Sequence, residues 1–343
     1  MVDPVESPIM DAAGETVAGG EPRDRTEPGS EDPAGAPVLS FIIPAFNEED
    51  LLPRTIRSIR DLVSHVPHEI IVVDNDSSDA TPRVAAELGA QVIRQSGGTI
   101  GSLRNRGVAA ARGEVLVFLD ADVIVTPEWA HRLPASIELL REGRAVTGAR
   151  CNVPDDATWL ERYWFASRGK KSTHVGSGHM LMARQFFQEL GGFDDSLTTG
   201  EDYELSRRAV ARGGRIASDP RLRAIHLGFP RTVRAFLQRE SWHGVGDFRS
   251  FSTFVRSKVA MSAAAFTLLH LVLLGSLIGR AMPLALAAAS GIVLLCLASS
   301  YHQYRAQPIH VILLNTGIYW IYYLGRTLAF VRRVSGSVSR GSR

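Results

Sequence analysis

The chain has 343 residues, 45% of them hydrophobic, and a formal net charge of +2. That is enough apolar material for one or two domains with their own cores, and no nucleic-acid partner is expected. Two cysteines, Cys151 and Cys296, fall in unlike surroundings, which argues against a disulfide framework and fits a reducing compartment. The charge is polarised: residues 1–36 hold nine acids against Arg23 and Arg25, while residues 221–343 hold fifteen Lys or Arg against Glu240 and Asp247.

Residues 1–36 are rich in Pro, Gly, Ala, Asp and Glu, and are expected to form a disordered acidic tail. "MVDPVESPIMDAAGE" lacks the basic start and apolar core of a signal peptide, so the domain that follows is expected to stay in the cytoplasm. From Val38 onward, "VLSFIIPAF" reads as a strand. "EEDLLPRTIRSIRDLV" reads as a helix with Leu51, Leu52, Ile56, Ile59 and Val63 on one face, and "EIIVVD" as a second strand. "ATPRVAAELG" is a helix, "AQVIRQ" a strand, "SGGTIG" a glycine-rich loop and "SLRNRGVAAARG" a helix. "EVLVFLDADVIVTP" is read as the fourth strand. Alternation of this kind, with continuous apolar strands, predicts an α/β fold: a mainly parallel sheet between helices, binding its ligand at the carboxyl ends of the strands.

The C-terminal part differs. "VAMSAAAFTLLHLVLLGSLIG" and "PLALAAASGIVLLCLASSY" are each close to the length of a bilayer crossing and are joined at "RAMP". They predict a multi-pass membrane protein. A third segment, "IHVILLNTGIYWIYYLGRTLAFV", carries Arg326. A full crossing there would put Arg332, Arg333, Arg340 and Arg343 on the side opposite to the usual bias, so an interfacial, tilted or re-entrant helix is the alternative. The expected organisation is a tail (1–36), a catalytic domain (37–232), a basic membrane-surface segment (233–257), two or three membrane helices (258–331) and a basic tail (332–343).

Asp120 and Asp122 interrupt an apolar run. A buried carboxylate needs a cation or donors, so both are expected where the strand leaves the sheet. Residues i and i+2 of an extended segment point the same way, which lets the pair converge on one hard ion. Other strand ends carry Asn47, Glu48, Asp74, Asp76 and Asp79 at the same edge. Asp74 can accept from a nucleobase N–H, Glu48 or Asp120 from ribose hydroxyls, and Arg104 is expected to neutralise a phosphate. Asp76 and Asp79 are read as turn-making and helix-capping residues.

"FIIPAFNEEDLLPRTIRSI", "EIIVVDNDSSDATPRVA", "RNRGVAAARGEVLVFLDADVIVTPEW" and "LGGFDDSLTTGEDYELSRRAVARGG", in this order, resemble the family-2 glycosyltransferases of GT-A fold. The resemblance implies that Pro44, Ala45, Glu48 and Asp74 hold the nucleoside of a UDP- or GDP-type nucleotide-diphospho-sugar, with Arg104 and Asp120 supporting the nucleotide. It implies Mg²⁺ or Mn²⁺ at Asp122, and His226 as a late histidine completing the metal or diphosphate site; a packed structural histidine is the alternative there. Asp202 is implied as the catalytic base, with Glu201 and Trp242 on the acceptor side and Gly176, Ser177 and Gly178 permitting close approach. The sequence departs from processive members at "QRESW", where Ser241 stands in place of an arginine, which counts against polymerisation. The expected acceptor is a lipid or lipid-linked cell-envelope molecule at the cytoplasmic membrane face. Two other readings remain: a haloacid-dehalogenase-like phosphatase, from "LVFLDADVIVT", and an inactive membrane scaffold of the same fold.

Overall fold

The computed structural model describes residues 35–166, 174–245 and 251–334. The acidic tail up to residue 34 and the basic tail from 335 lie outside the described residues.

Seven strands form one sheet. In chain order the first elements are β1 (Leu39–Ala45), α1 (Leu52–Val63), β2 (His68–Asp74), α2 (Thr81–Glu87), β3 (Gln91–Arg94), α3 (Ile100–Ala110) and β4 (Val115–Leu119). Then come β5 (Val123–Val125), α4 (Pro127–Glu142), β6 (Ala145–Gly148), a π-helical turn (Glu161–Ala166), β7 (His179–Ala183), α5 (Arg184–Leu190), α6 (Glu201–Ala211), β8 (Arg215–Ser218) and β9 (Ala224–His226). The strand order is β3-β2-β1-β4-β7-β6-β8, and only β7 runs against the rest. The mainly parallel sheet is therefore present, with one reversal.

Strand alternation sorts the core into two layers. Phe41, Ile43, Val117 and Leu119 face α1 and α4, meeting Leu52, Ile56, Ile59, Trp129 and Leu133. Ile42, Leu116 and Phe118 face the other side, meeting Leu103, Phe186, Phe187 and Leu205. Each such aliphatic side chain, fully buried, contributes about 1.5–3 kcal/mol. The first helix begins at Leu52, four residues later than its sequence pattern suggested, because Pro53 is tolerated only in a first turn.

The expected single fourth strand is a correction. It is two strands: β4 lies in the main sheet, and β5 pairs antiparallel with β9 in a separate two-stranded sheet. The reason is the acid pair. Asp120–Ala121–Asp122 is a turn, because carboxylates cannot continue the dry run of β4 between its neighbours.

A third apolar cluster joins the π-helical turn to α7 (Val233–His243) and to the C-terminal helices α9 (Lys258–Ile278), α10 (Met282–Tyr304) and α11 (Ile309–Val334). A short α8 (Phe251–Arg256) precedes α9. α9 and α10 are long and apolar enough to cross a membrane, with mean hydropathies of 2.0 and 2.1. Only 17% and 22% of these windows are buried, whereas the core helix of a soluble domain would be mostly covered. Exposed Leu268, Leu271, Leu274, Leu284 and Val293 form that uncovered surface.

Candidate functional site

The carboxyl ends of β1, β2 and β4 lie along one edge, set by the parallel registers Ala45↔Asp74 and Ile42↔Phe118. Pro44 and Ala45 are buried at the end of β1, where the missing proline N–H costs no bond to β4 because that pairing stops at Ile42. Asp74 is buried; its Oδ2 accepts from the Ser77 N–H at 3.3 Å, and its Oδ1 has no hydrogen-bond partner. The Glu48 N–H donates to Thr81 Oγ1 at 2.7 Å, which ties the loop after β1 to the start of α2. Asp79 accepts from the Thr81 N–H at 2.9 Å and from the Glu49 N–H at 3.2 Å, a turn role ahead of α2, whose N-cap position is Ala80 and carries no side-chain cap. Burial works against the Asp79 charge, but the bonds from Thr81 and Glu49 outweigh it and hold its pKa below the ordinary value.

The Asp120–Asp122 turn is bound on every side. The Asp120 N–H donates to Gly178 O at 3.1 Å, the Leu227 N–H to Asp122 O at 2.8 Å, and buried Thr55 Oγ1 to Ala121 O at 2.8 Å. The two carboxylates therefore converge through a turn fixed by three distant segments, not through an extended strand. Ligand atoms of Asp120, Asp122 and His226 all lie within 4.8 Å of one another. His226 Nδ1 is 3.7 Å from Asp122 Oδ2 and is buried without a hydrogen-bond partner. Its ring stacks on Phe229 at 4.2 Å, and Phe229 stacks on Phe165 of the π-helical turn at 4.2 Å. Two carboxylates and an imidazole with an open nitrogen fit a divalent ion such as Mn²⁺.

Glycines make room for these acids. A Cβ on Gly228 would fall on Asp122 Oδ2, and one on Gly178 on Asp120 Oδ2. Three consecutive residues of the strand-leading loop meet three acids: Gly176 adjoins Asp202, Ser177 Oγ donates to Glu201 at 2.8 Å, and Gly178 adjoins Asp120. Gly200, at φ +82°, turns the chain into α6 in the left-handed conformation that favours glycine, so that Glu201 and Asp202 form the first helical turn. Asp202 is half-buried, and its Oδ1 accepts from the Tyr203 N–H at 2.7 Å.

Arg104 and Glu201 differ from expectation. Arg104 is 2% exposed, and its Nη2 and Nη1 donate to Asp120 at 2.7 Å and to Glu201 at 3.0 Å. Its guanidinium thus bridges two carboxylates and does not lie open to a phosphate. Glu201 is turned inward to Arg104 and Ser177, away from the acceptor role read for it. Trp242 lies on α7, half-buried, with its ring against His243 at 4.9 Å.

Three features escaped the sequence reading. Buried His179 accepts from Trp129 Nε1–H at 2.7 Å and donates from Nδ1 to Ala149 O at 2.9 Å, behind Gly178. Burial holds its pKa down to about 4. Cys151 is the second: burial, then the charges of Asp120 and Asp122, push its thiol well above the usual range. The third is Gly228. Only its neighbourhood to His226 in "HLGFP" hinted at it.

A mainly parallel sheet with one reversed strand and an acidic turn at its rim is the GT-A fold. A mannosyltransferase from Pyrobaculum calidifontis, solved with GDP-Man and Mn²⁺, superposes with a TM-score of 0.54 at 18% identity, covering 88% of each chain. The models of glycosyl transferase family 2 and of glycosyl transferase family group 2 match residues 40–191 and 136–323. A succinoglycan biosynthesis protein of Rhizobium meliloti is 31% identical over 209 residues, 54% of this chain and 59% of that protein. An uncharacterised glycosyltransferase of Mycobacterium bovis is 30% identical over 188 residues, 52% of this chain and 82% of the relative. The chain belongs to the family-2 glycosyltransferases. Nothing in these relatives supports the phosphatase reading.

Proposed function

We propose that the protein is an inverting, metal-dependent glycosyltransferase. It moves a sugar from a UDP- or GDP-type nucleotide-diphospho-sugar to a lipid or lipid-linked acceptor at the cytoplasmic face of the cell membrane. The observation that carries this reading is the loop Gly176–Ser177–Gly178, which adjoins Asp202, Glu201 and Asp120 in turn and so joins the expected acceptor side to the expected metal side.

In this reading Pro44, Ala45 and Glu48 line the nucleoside, and the open Asp74 Oδ1 accepts a nucleobase N–H. Asp120, Asp122 and His226 hold Mg²⁺ or Mn²⁺. A divalent ion there supplies Lewis-acid compensation for charge on the departing diphosphate. Arg104 serves the nucleotide end through Asp120, which it fixes, and fixes Glu201 beside Asp202. Asp202 removes the acceptor hydroxyl proton on the sugar face opposite the diphosphate, so direct displacement inverts the anomeric centre. The uncovered surface of α9 and α10 supports membrane anchorage, and with it a lipid-bearing acceptor. Trp242, on the segment leading into those helices, is assigned to the acceptor's approach.

A donor-hydrolysis screen tests this without knowledge of the acceptor: UDP- and GDP-sugars, with Mn²⁺ or Mg²⁺, on wild-type protein, Asp122→Asn and Asp202→Asn. Hydrolysis of one donor should be lost in Asp122→Asn. Asp202→Asn should keep donor binding while donor hydrolysis falls about 10²–10⁴-fold. Donor binding by none of the screened sugars would instead favour an inactive scaffold.

A further inference from the structure

α11 remains against the π-helical turn of the catalytic domain and then against α7 along almost its whole described length. His310 meets Tyr163 ring to ring at 6.4 Å, and Asn315 Nδ2 donates to Tyr163 O at 3.0 Å. Tyr319 and Tyr322 pack on Trp164 at 5.0 and 5.1 Å. Arg326 Nη2 donates to Glu240 Oε2 at 3.1 Å, and Ala329 lies against Gly244. From His310 to Ala329 a helix advances about 28 Å, nearly the roughly 30 Å thickness of a hydrocarbon core.

A crossing helix of that length has its ends at opposite faces of the bilayer. For the π-helical turn and α7 to touch both ends, α7 would have to carry the charged Glu240 and Arg239 into the hydrocarbon, where ionised side chains are strongly disfavoured. We infer that α11 does not cross: it lies in the plane of the membrane face, wedged between the catalytic domain and the hairpin of α9 and α10, with its outer side against lipid at the boundary of headgroups and acyl chains. The inference rests on the proposed spanning of that hairpin and extends it.

Three further observations agree. Ile309, Leu313, Leu328 and Val331 are exposed apolar residues of α11, a surface that water would not favour and that the acyl boundary accepts. Trp320, also exposed, donates to His270 of α9 at 3.2 Å and places an indole at the depth where aromatic rings concentrate. A helix that stays on the catalytic side also keeps Arg332 and Arg333, at its described end, on that side, in keeping with the positive-inside bias.

The test is depth. Full-length protein, with Cys151 and Cys296 replaced by Ser, is spin-labelled at Leu313→Cys or Leu328→Cys in vesicles of phosphatidylethanolamine and phosphatidylglycerol, and each label's immersion is measured by oxygen and nickel-chelate accessibility. Labels at Met282→Cys and Leu294→Cys on α10 calibrate the hairpin. An in-plane helix gives equal, shallow depths at residues 313 and 328. A crossing helix places the two labels about 22 Å apart along the bilayer normal and overturns the inference. If residue 294 is as open to the nickel chelate as an aqueous loop, the spanning hairpin itself is wrong, and the inference falls with it. That outcome is distinguished by the α10 labels alone.

Discussion

Two ion clusters, each built round a buried group, mirror each other in this molecule. At the sheet edge one cation, Arg104, is held by two acids, Asp120 and Glu201. At the base of the C-terminal helices one acid, Glu240, is held by two cations, Arg239 and Arg326, at 2.8 and 3.1 Å. Desolvation penalises the buried Arg104, Glu201 and Glu240, and each is tolerable only because the opposite charge is fixed within hydrogen-bond distance. The difference lies in the sign of the majority. Among the described residues the first cluster leaves an acidic site beside the Asp122 and His226 ligand atoms, suited to a cation. The second leaves a basic one beside the helices proposed to meet the membrane, suited to anionic lipid.

The comparison breaks first at Arg104. Arg104→Met leaves the buried Glu201 and the half-buried Asp120 facing one another without their cation and should cost about 3–5 kcal/mol, read as a fall in the denaturation midpoint in detergent. Arg104→Met with Glu201→Gln should recover part of that loss. An additive double mutant would show that the two groups are not coupled.

A pH series sharpens the first cluster's setting. His179 has a folded-state pKa of about 4, below its ordinary value near 6.5. Above that value both folded and unfolded chains hold it neutral. As pH falls from about 6.5 to 4 the unfolded chain takes up a proton that the folded chain refuses, so stability drops by on the order of 3 kcal/mol. His179→Gln should flatten this slope by about one proton, and an unchanged slope would mean the ring is protonated in place.

Arg326→Met tests the second cluster, and a smaller loss is expected, about 1–3 kcal/mol, because Glu240 keeps Arg239. If it exceeds the loss in Arg104→Met, the two clusters are not equivalent in kind. The smallest effect belongs to Asp79→Ala, about 1 kcal/mol, from lost bonds to the Thr81 and Glu49 N–H groups. Because the Asp79 pKa lies below its ordinary value, the contribution should be present above the carboxylate range and fade as pH falls through it.

Much of the site was legible because its residues close apolar strands. Asp74 ends β2 and Asp120 follows β4, and the apolar runs before them fixed both the strands and the edge they share. Where reading failed, the partner was far away in sequence. Arg104 was taken for a phosphate ligand because nothing local shows that Asp120 and Glu201, 16 and 97 residues away, close on it. Glu201 was placed on the acceptor side for the same reason: nothing local shows that Arg104 and Ser177 turn it inward. The acid turn was read as strand because Val123 to Val125 is as apolar as β4, and only pairing with β9 shows that it belongs to another sheet.

The amino-acid order alone determined the alternating layers, the acidic strand ends and the two long apolar helices, because each is a repeat or a boundary within a few residues of itself. Tertiary structure alone decided which charges pair, which glycines stand under carboxylates, and that α11 lies along the π-helical turn and α7. Those depend on distances between segments that the chain's local preferences leave free, and electrostatic and packing energies change over a few ångströms.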